Sequence, residues 1–198
     1  METNRNESFM QLPAFRIATL AILIAVTALF TFVIRIPIAP TRGYINFGDV
    51  AIFFTAIIFG PITALITGGV GTALADLLAG YAQWAPFTFL AHGLQGLAIG
   101  LVINAGRKLH VRSTQRKQAE LSRTPQKPGI ASLLLAFVLG TLVMGGIYFL
   151  TGGLMVGFAA AATEIPGNIL QNLAGVLVGT PLAMAVWKAY PPIRYYTW

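Results

Sequence analysis

The sequence contains no cysteine, which excludes disulfides, a thiolate metal site and a cysteine nucleophile. Charge is scarce as well: charged residues make up 10 % of the 198, and only six of them are acidic. A soluble domain carries about 25 % charge, because its folded surface must stay hydrated. Thirteen Lys/Arg, six Asp/Glu and two His cannot cover such a surface. Apolar residues reach 56 % and mean hydropathy is +0.74, so the chain reads as an integral membrane protein. A compact signal sequence is missing too. METNRNESFMQLPAFR is polar, and the apolar run after Arg16 is too long for a signal core, so it reads as a retained span.

Several chemistries lack the residues to carry them. Nothing matches GxxxxGK[ST], so there is no P-loop, and no HExxH-type spacing suggests a metal. Ser8, Ser113, Ser122 and Ser132 are terminal, looped or at a membrane edge, so no Ser-His-acid triad can be placed. The reading is a protein that is not an enzyme, without cofactor or metal. Nucleic acid is excluded as a partner because the basic residues are localised and lack interleaved aromatics.

Long apolar runs are what the chain has. Crossing ~30 Å of hydrocarbon takes roughly 20 apolar helical residues. The runs predict an all-α membrane protein, one domain over 1–198, with six transmembrane helices at about 14–36, 49–66, 69–82, 85–108, 130–151 and 164–188. IPIAPTRGYINFGD, between the first two, reads as an ordered loop, and Gly68, Gly69 and Gly71 as a tight cytoplasmic turn between the second and third. A basic loop is expected at 107–129; Arg107, Lys108, Arg112, Arg116, Lys117, Arg123 and Lys127 supply seven of the thirteen cations. Placing it in the cytoplasm, against anionic membrane lipids, puts both termini there with Arg5, Arg16, Lys188 and Arg194. Only Arg35 and Arg42 remain outside, the asymmetry that the positive-inside rule describes.

With that topology, the intramembrane polar residues fall in the outer half. Trp84, Thr88, His92 and Gln95 share one helical face, as do Glu164, Asn168, Gln171 and Asn172. Each stripe reaches about 12 Å or more from the outer end. Asp49 opens the second span, and Asp76 lies in the second half of the third. Structural readings exist for each: Asp49 as an N-cap, Asp76 as an interhelical tether, Asn168 and Gln171 as interhelical hydrogen bonds, His92 as a satisfied core histidine, and Glu164 as a solvated helix start. Taken together they form a one-sided basin, which fits a capture pocket and not a pore lined across its whole thickness. Ala14, Ala18, Ala21 and Ala25 form a small-residue ridge on the first span, suited to close helix approach inside the chain or by a protein partner.

GYINFGDVAIFFTAIIFGP, GGVGTALADLLAGY, APFTFLAHGLQGLAIGL and EIPGNILQNLAGVLVG resemble the substrate-binding S components of energy-coupling factor (ECF) vitamin transporters. The resemblance covers about 14–110 and 130–188 and is closest to the riboflavin- and hydroxymethylpyrimidine-type branch. It implies six membrane helices in the bacterial plasma membrane and a vitamin pocket under the loop joining the first two. It also implies a membrane coupling subunit and two ATPases as partners, with the alanine ridge as the docking strip. By resemblance, Gly43, Tyr44, Asn46 and Asp49 belong to the lid loop, and Glu164, Asn168 and Gln171 to the outer half of the last helix. Where the family pattern leads one to expect a Lys before the Gly in the fourth helix, this chain carries Ala91-His92-Gly93, which leaves the ligand's charge open. The substrate-binding set is therefore Tyr44, Asn46, Asp49, Trp84, His92, Tyr148, Glu164, Asn168 and Gln171, with the aromatics stacking on a heterocycle and the polar groups reading its edge. A pyrimidine- or pyridine-sized ligand is favoured, with riboflavin and cobalamin left open. Two rivals stand beside this reading: a stand-alone secondary transporter, and a membrane enzyme using Asp76, His92 and Glu164 as acid/base groups.

Overall fold

The computed structural model describes residues 12–41, 43–115, 127–191 and 193. Arg5, Arg42, Arg194 and residues 116–126 of the expected basic loop lie outside them. Proline opens the first helix, α1 (Pro13–Val33), at a position where its missing N–H breaks no hydrogen bond. Leu23, Thr27, Ala28 and Thr31 are its buried stripe. A two-stranded antiparallel ribbon follows, β1 (Arg35–Ile38) against β2 (Gly43–Asn46), in register Arg35↔Asn46 and Pro37↔Tyr44. The all-α expectation is corrected to this extent: the loop between the first two helices is a short ribbon.

Next come α2 (Gly48–Phe59), α3 (Pro61–Ala79) and α4 (Ala85–Gln115). The chain continues through α5 (Ile130–Val156), α6 (Phe158–Ala162), α7 (Ile165–Ala174), a π-helical turn (Gly175–Gly179) and α8 (Thr180–Ala189). Among the described residues, five helical stretches are long and apolar enough to cross a membrane, and α2 is a shorter apolar helix.

The break expected near Gly68–Gly71 lies instead at Gly60. Gly60 sits at φ +87°, a region that glycine reaches without steric cost, and Pro61 then starts α3. This leaves α2 about 18 Å long, too short to cross the bilayer alone. Eleven of its residues are buried, so its ends are satisfied by protein and need not meet lipid. Gly68, Gly69 and Gly71 lie inside α3 and serve packing. A Cβ at Gly68 would stand 2.8 Å from the His92 carbonyl oxygen, and one at Gly71 2.9 Å from that of Ile24. From the other side, a Cβ at Gly96 would stand 2.6 Å from the Ala64 carbonyl oxygen. Small residues thus let α3 lie backbone-to-backbone on α4 and, at Gly71, on α1.

The buried apolar cluster runs from Ile52 and Phe53 of α2 to Ile99 and Ile103 of α4, with Ala136 and Trp187. It fills the part of the bundle farther from the ribbon. Arg107 is the exception there. It was expected to begin the basic loop, but α4 continues through it to Gln115, because no helix breaker intervenes. Its Nη2 donates to the Ile57 carbonyl oxygen at 2.9 Å, and its guanidinium lies 4.9 Å from the centre of a Trp187 ring. The cation thereby satisfies a carbonyl near the end of α2 while resting on an aromatic face. Ala14, Ala18, Ala21 and Ala25 are all exposed, so the ridge is not used for packing within the chain.

Candidate functional site: a cavity beneath the ribbon

The ribbon is tied down by the helices it covers. The Tyr44 hydroxyl donates to Asp76 Oδ1 at 2.5 Å, and the Asn46 backbone N–H donates to the Gln171 side-chain oxygen. Burial, and then the neighbouring Asp76 carboxylate, push the Tyr44 phenol above its ordinary pKa, so it stays protonated and able to donate. Asn46 also serves locally, its Oδ1 accepting the Gly48 N–H at 2.8 Å. That Asx turn leads the chain into α2, whose N-cap position is Phe47 with no side-chain cap; Asp49 lies inside the first turn and is not the N-cap considered for it. Gly43 packs against Glu164, and Ile38 and Ile45 press on Gly167 of α7.

Below the ribbon lies a cavity of about 30 Å3, room for about two waters. Tyr44 and Asn46 form its roof, Trp84 and Thr88 its α4 wall, and Tyr148 the α5 wall. Glu164, Asn168 and Gln171 line it from α7, and Asp76 and Tyr81 from the end of α3. Two aromatic pairs stand in the wall, Tyr44 with Tyr81 (centroids 5.1 Å apart) and Trp84 with Tyr148 (6.4 Å).

Tyr81 owes its place to the sequence ADLLAGY. Gly80, at φ +83°, lets its own N–H bond the Leu77 carbonyl at 3.3 Å and the Tyr81 N–H bond that of Asp76 at 2.8 Å. This Schellman pair folds Tyr81 back towards Asp76. Gly80→Ala should cost about 1 kcal/mol, since alanine resists positive φ. Thermal unfolding in detergent checks this, and Gly80→Asn should recover part of the loss.

Seven of the nine residues expected to bind substrate are brought together here: Tyr44, Asn46, Trp84, Tyr148, Glu164, Asn168 and Gln171. Asp49 and His92 do not reach the cavity wall. They lie beneath it, fully buried, with Asp49 Oδ1 3.2 Å from His92 Nδ1. Gln95 joins them: its Oε1 is 2.8 Å from His92 Nδ1, and its Nε2 donates to Asp49 Oδ1 and Asn172 Oδ1. The His92 ring stands edge-on to Tyr148, centroids 5.7 Å apart, which links the buried cluster to the cavity. Asp76, Tyr81 and Thr88 line the cavity outside the expected set. Thr88 carried a signal, the stripe it shares with Trp84. Among the described residues, no group of three His, Asp or Glu could hold a metal.

Comparison with known proteins places the chain in a family. A family model for the ECF-type riboflavin transporter S component matches residues 13–188. A thiamine precursor transporter, HmpT, of Lactococcus lactis subsp. cremoris (strain MG1363) is 31 % identical over 169 residues, which is 85 % of each chain. An uncharacterized protein of Pyrococcus woesei is 33 % identical over 167 residues, 82 % of this chain and 95 % of that one. The match spans nearly all the membrane helices, including every residue that lines the cavity. The chain therefore belongs to the ECF-type riboflavin transporter S component family, and it is a multi-pass membrane protein of vitamin-type transport and not an enzyme.

Proposed function

We propose that the protein captures a small heteroaromatic vitamin precursor, of hydroxymethylpyrimidine or pyridoxine size, in the cavity beneath the ribbon. The observation that carries this reading is the composition of that wall: two aromatic pairs beside the side-chain amides of Asn46, Asn168 and Gln171. Flat rings stack on aromatic faces, and amides pair with ring nitrogens and hydroxyls. At about 30 Å3 the cavity is closed to any ring, so a ligand enters by lifting the ribbon off Asp76 and Gln171. In this reading the chain makes six membrane segments, α1, α2, α3, α4, α5 and the α6–α8 stretch, with α2 the short one enclosed by its neighbours, both termini cytoplasmic and the ribbon outside. The likeness to HmpT favours a thiamine precursor over a flavin. Energy comes from a membrane coupling subunit and two ATPases, docked through Ala14, Ala18, Ala21 and Ala25, whose exposure leaves a flat strip for another helix.

Titration calorimetry of the purified protein with hydroxymethylpyrimidine, pyridoxine and riboflavin tests this. Saturable binding of one of the first two is the expected result. Ala18→Trp should leave that binding unchanged while abolishing co-purification with the coupling subunit. Uptake into vesicles holding this protein alone would instead support a secondary transporter, and failure of all three ligands to bind would end the receptor reading.

A further inference from the structure

We propose that Asp76 reads the ligand's hydrogen-bond donors, so that the site selects a heteroaromatic ring carrying an exocyclic amino group beside a ring nitrogen; this rests on the receptor reading above. Asp76 is 3 % exposed and faces the cavity. Its Oδ1 receives the Tyr44 hydroxyl, while its Oδ2 is buried with no hydrogen-bond partner. Thr88, whose oxygen accepts the Tyr148 hydroxyl at 2.9 Å, directs its own hydroxyl proton at the same carboxyl, yet Oδ2 remains without a partner.

A buried carboxylate oxygen left unpaired is costly, and a donor supplied from the cavity removes that cost. Asp49 also has an unpaired Oδ2, but it does not line the cavity. Asp76 is thus the unsatisfied acceptor that a ligand meets.

The shape of the donor follows from the carboxylate. When the ring nitrogen takes a proton from water on binding, it and the adjacent amino group present two parallel N–H bonds, the arrangement that matches a carboxylate in two-point pairing. An oxo group at the same place points lone pairs at Oδ2 and leaves it unpaired. Charge selects in the same direction. The second acid in the wall is Glu164, and among the described residues no Lys, Arg or His side chain lines the cavity. Arg35 is turned onto the Phe32 and Tyr44 rings, 4.5 and 5.8 Å from their centres. A phosphate ester or carboxylate would therefore face like charge inside a low-dielectric wall, a repulsive element that enforces specificity.

The test is calorimetry of the purified full chain with three probes: 4-amino-hydroxymethylpyrimidine, its 4-oxo counterpart, and the phosphate ester of the amino form. Wild type should bind the amino form about 10- to 100-fold more tightly than either other probe. Asp76→Asn should weaken the amino form by a similar factor and narrow its lead over the oxo form, because an amide can donate to an oxo group. Should that variant fail to fold, the wild-type comparison of amino and oxo forms decides alone. Equal affinity for those two, or an Asp76→Asn protein that binds the amino form as wild type does, overturns the assignment. Binding of riboflavin alone, which has no such amino edge, leaves the receptor reading standing and overturns this one. Failure of every probe, pyridoxine included, removes both.

Discussion

Replacing Asp49 by leucine should destabilise the protein by about 3–5 kcal/mol, the loss typical when one member of a buried polar pair is removed and the other stays. Asp49 is fully buried, and its Oδ1 serves both Gln95 Nε2, at 3.1 Å, and His92 Nδ1, at 3.2 Å. Gln95 in turn holds Asn172 at 2.9 Å, so one carboxylate organises side chains from α2, α4 and α7. Leucine removes this shared acceptor and leaves His92 Nδ1 only the Gln95 oxygen and Gln95 Nε2 only Asn172, at a depth where water does not compensate. Asp49→Asn keeps one acceptor oxygen and should cost only about 1 kcal/mol. The double variant Asp49→Leu/His92→Leu should cost less than the two single changes added, by about 1–3 kcal/mol. A thermal-unfolding double-mutant cycle in detergent measures that difference. Strict additivity would mean that the two residues do not act as a unit.

This cluster also marks where sequence reasoning stops. Helical periodicity suffices to place Trp84, Thr88, His92 and Gln95 on one face, and Glu164, Asn168, Gln171 and Asn172 on another. It cannot say where along each stripe the cavity ends. Trp84 and Thr88 line the cavity whereas His92 and Gln95 pack below it, and that division depends on how deep the ribbon sits. Asp76 is the clearest case. A lone acid in a membrane helix reads equally as tether or site, and what distinguishes them is Tyr44, 32 residues away in sequence.

The ribbon itself was legible only as a loop, since each strand has four residues and gains its shape from pairing and from ties to α3 and α7. The helix break was misplaced for a local reason. Gly68, Gly69 and Gly71 look like a turn in isolation, yet inside a membrane bundle the first two permit the α3–α4 approach and Gly71 the approach to α1, whereas Gly60, ahead of Pro61, carries the positive φ. Arg107 reads with its basic neighbours because nothing local reveals that the Ile57 carbonyl and the Trp187 ring await it.

Trp84→Ala should weaken binding of hydroxymethylpyrimidine by about 30- to 1000-fold, the range for truncating a buried aromatic anchor. Trp84 is 6 % exposed, borders the cavity and stands against Tyr148. Its position is set by backbone bonds that the substitution leaves alone. Its N–H donates to the Tyr81 carbonyl at 2.8 Å, and its own carbonyl accepts the Phe87 and Thr88 N–H groups at 2.9 Å each. The loss therefore falls on the ring surface and not on the turn that starts α4. Removing so large a buried side chain also lowers stability, by about 3–5 kcal/mol for a fully enclosed ring, so affinity and folding must be separated. Ligand-induced stabilisation does this. At a ligand concentration 100 times the wild-type Kd, wild type gains about 2.7 kcal/mol; a 100-fold weaker variant at the same concentration gains only about 0.4 kcal/mol. Trp84→Phe, which keeps a flat apolar face, should retain most of the wild-type gain. An alanine variant that starts from a lower melting temperature yet shows the full ligand-induced rise would remove Trp84 from the binding wall and leave it as packing between α4 and α5.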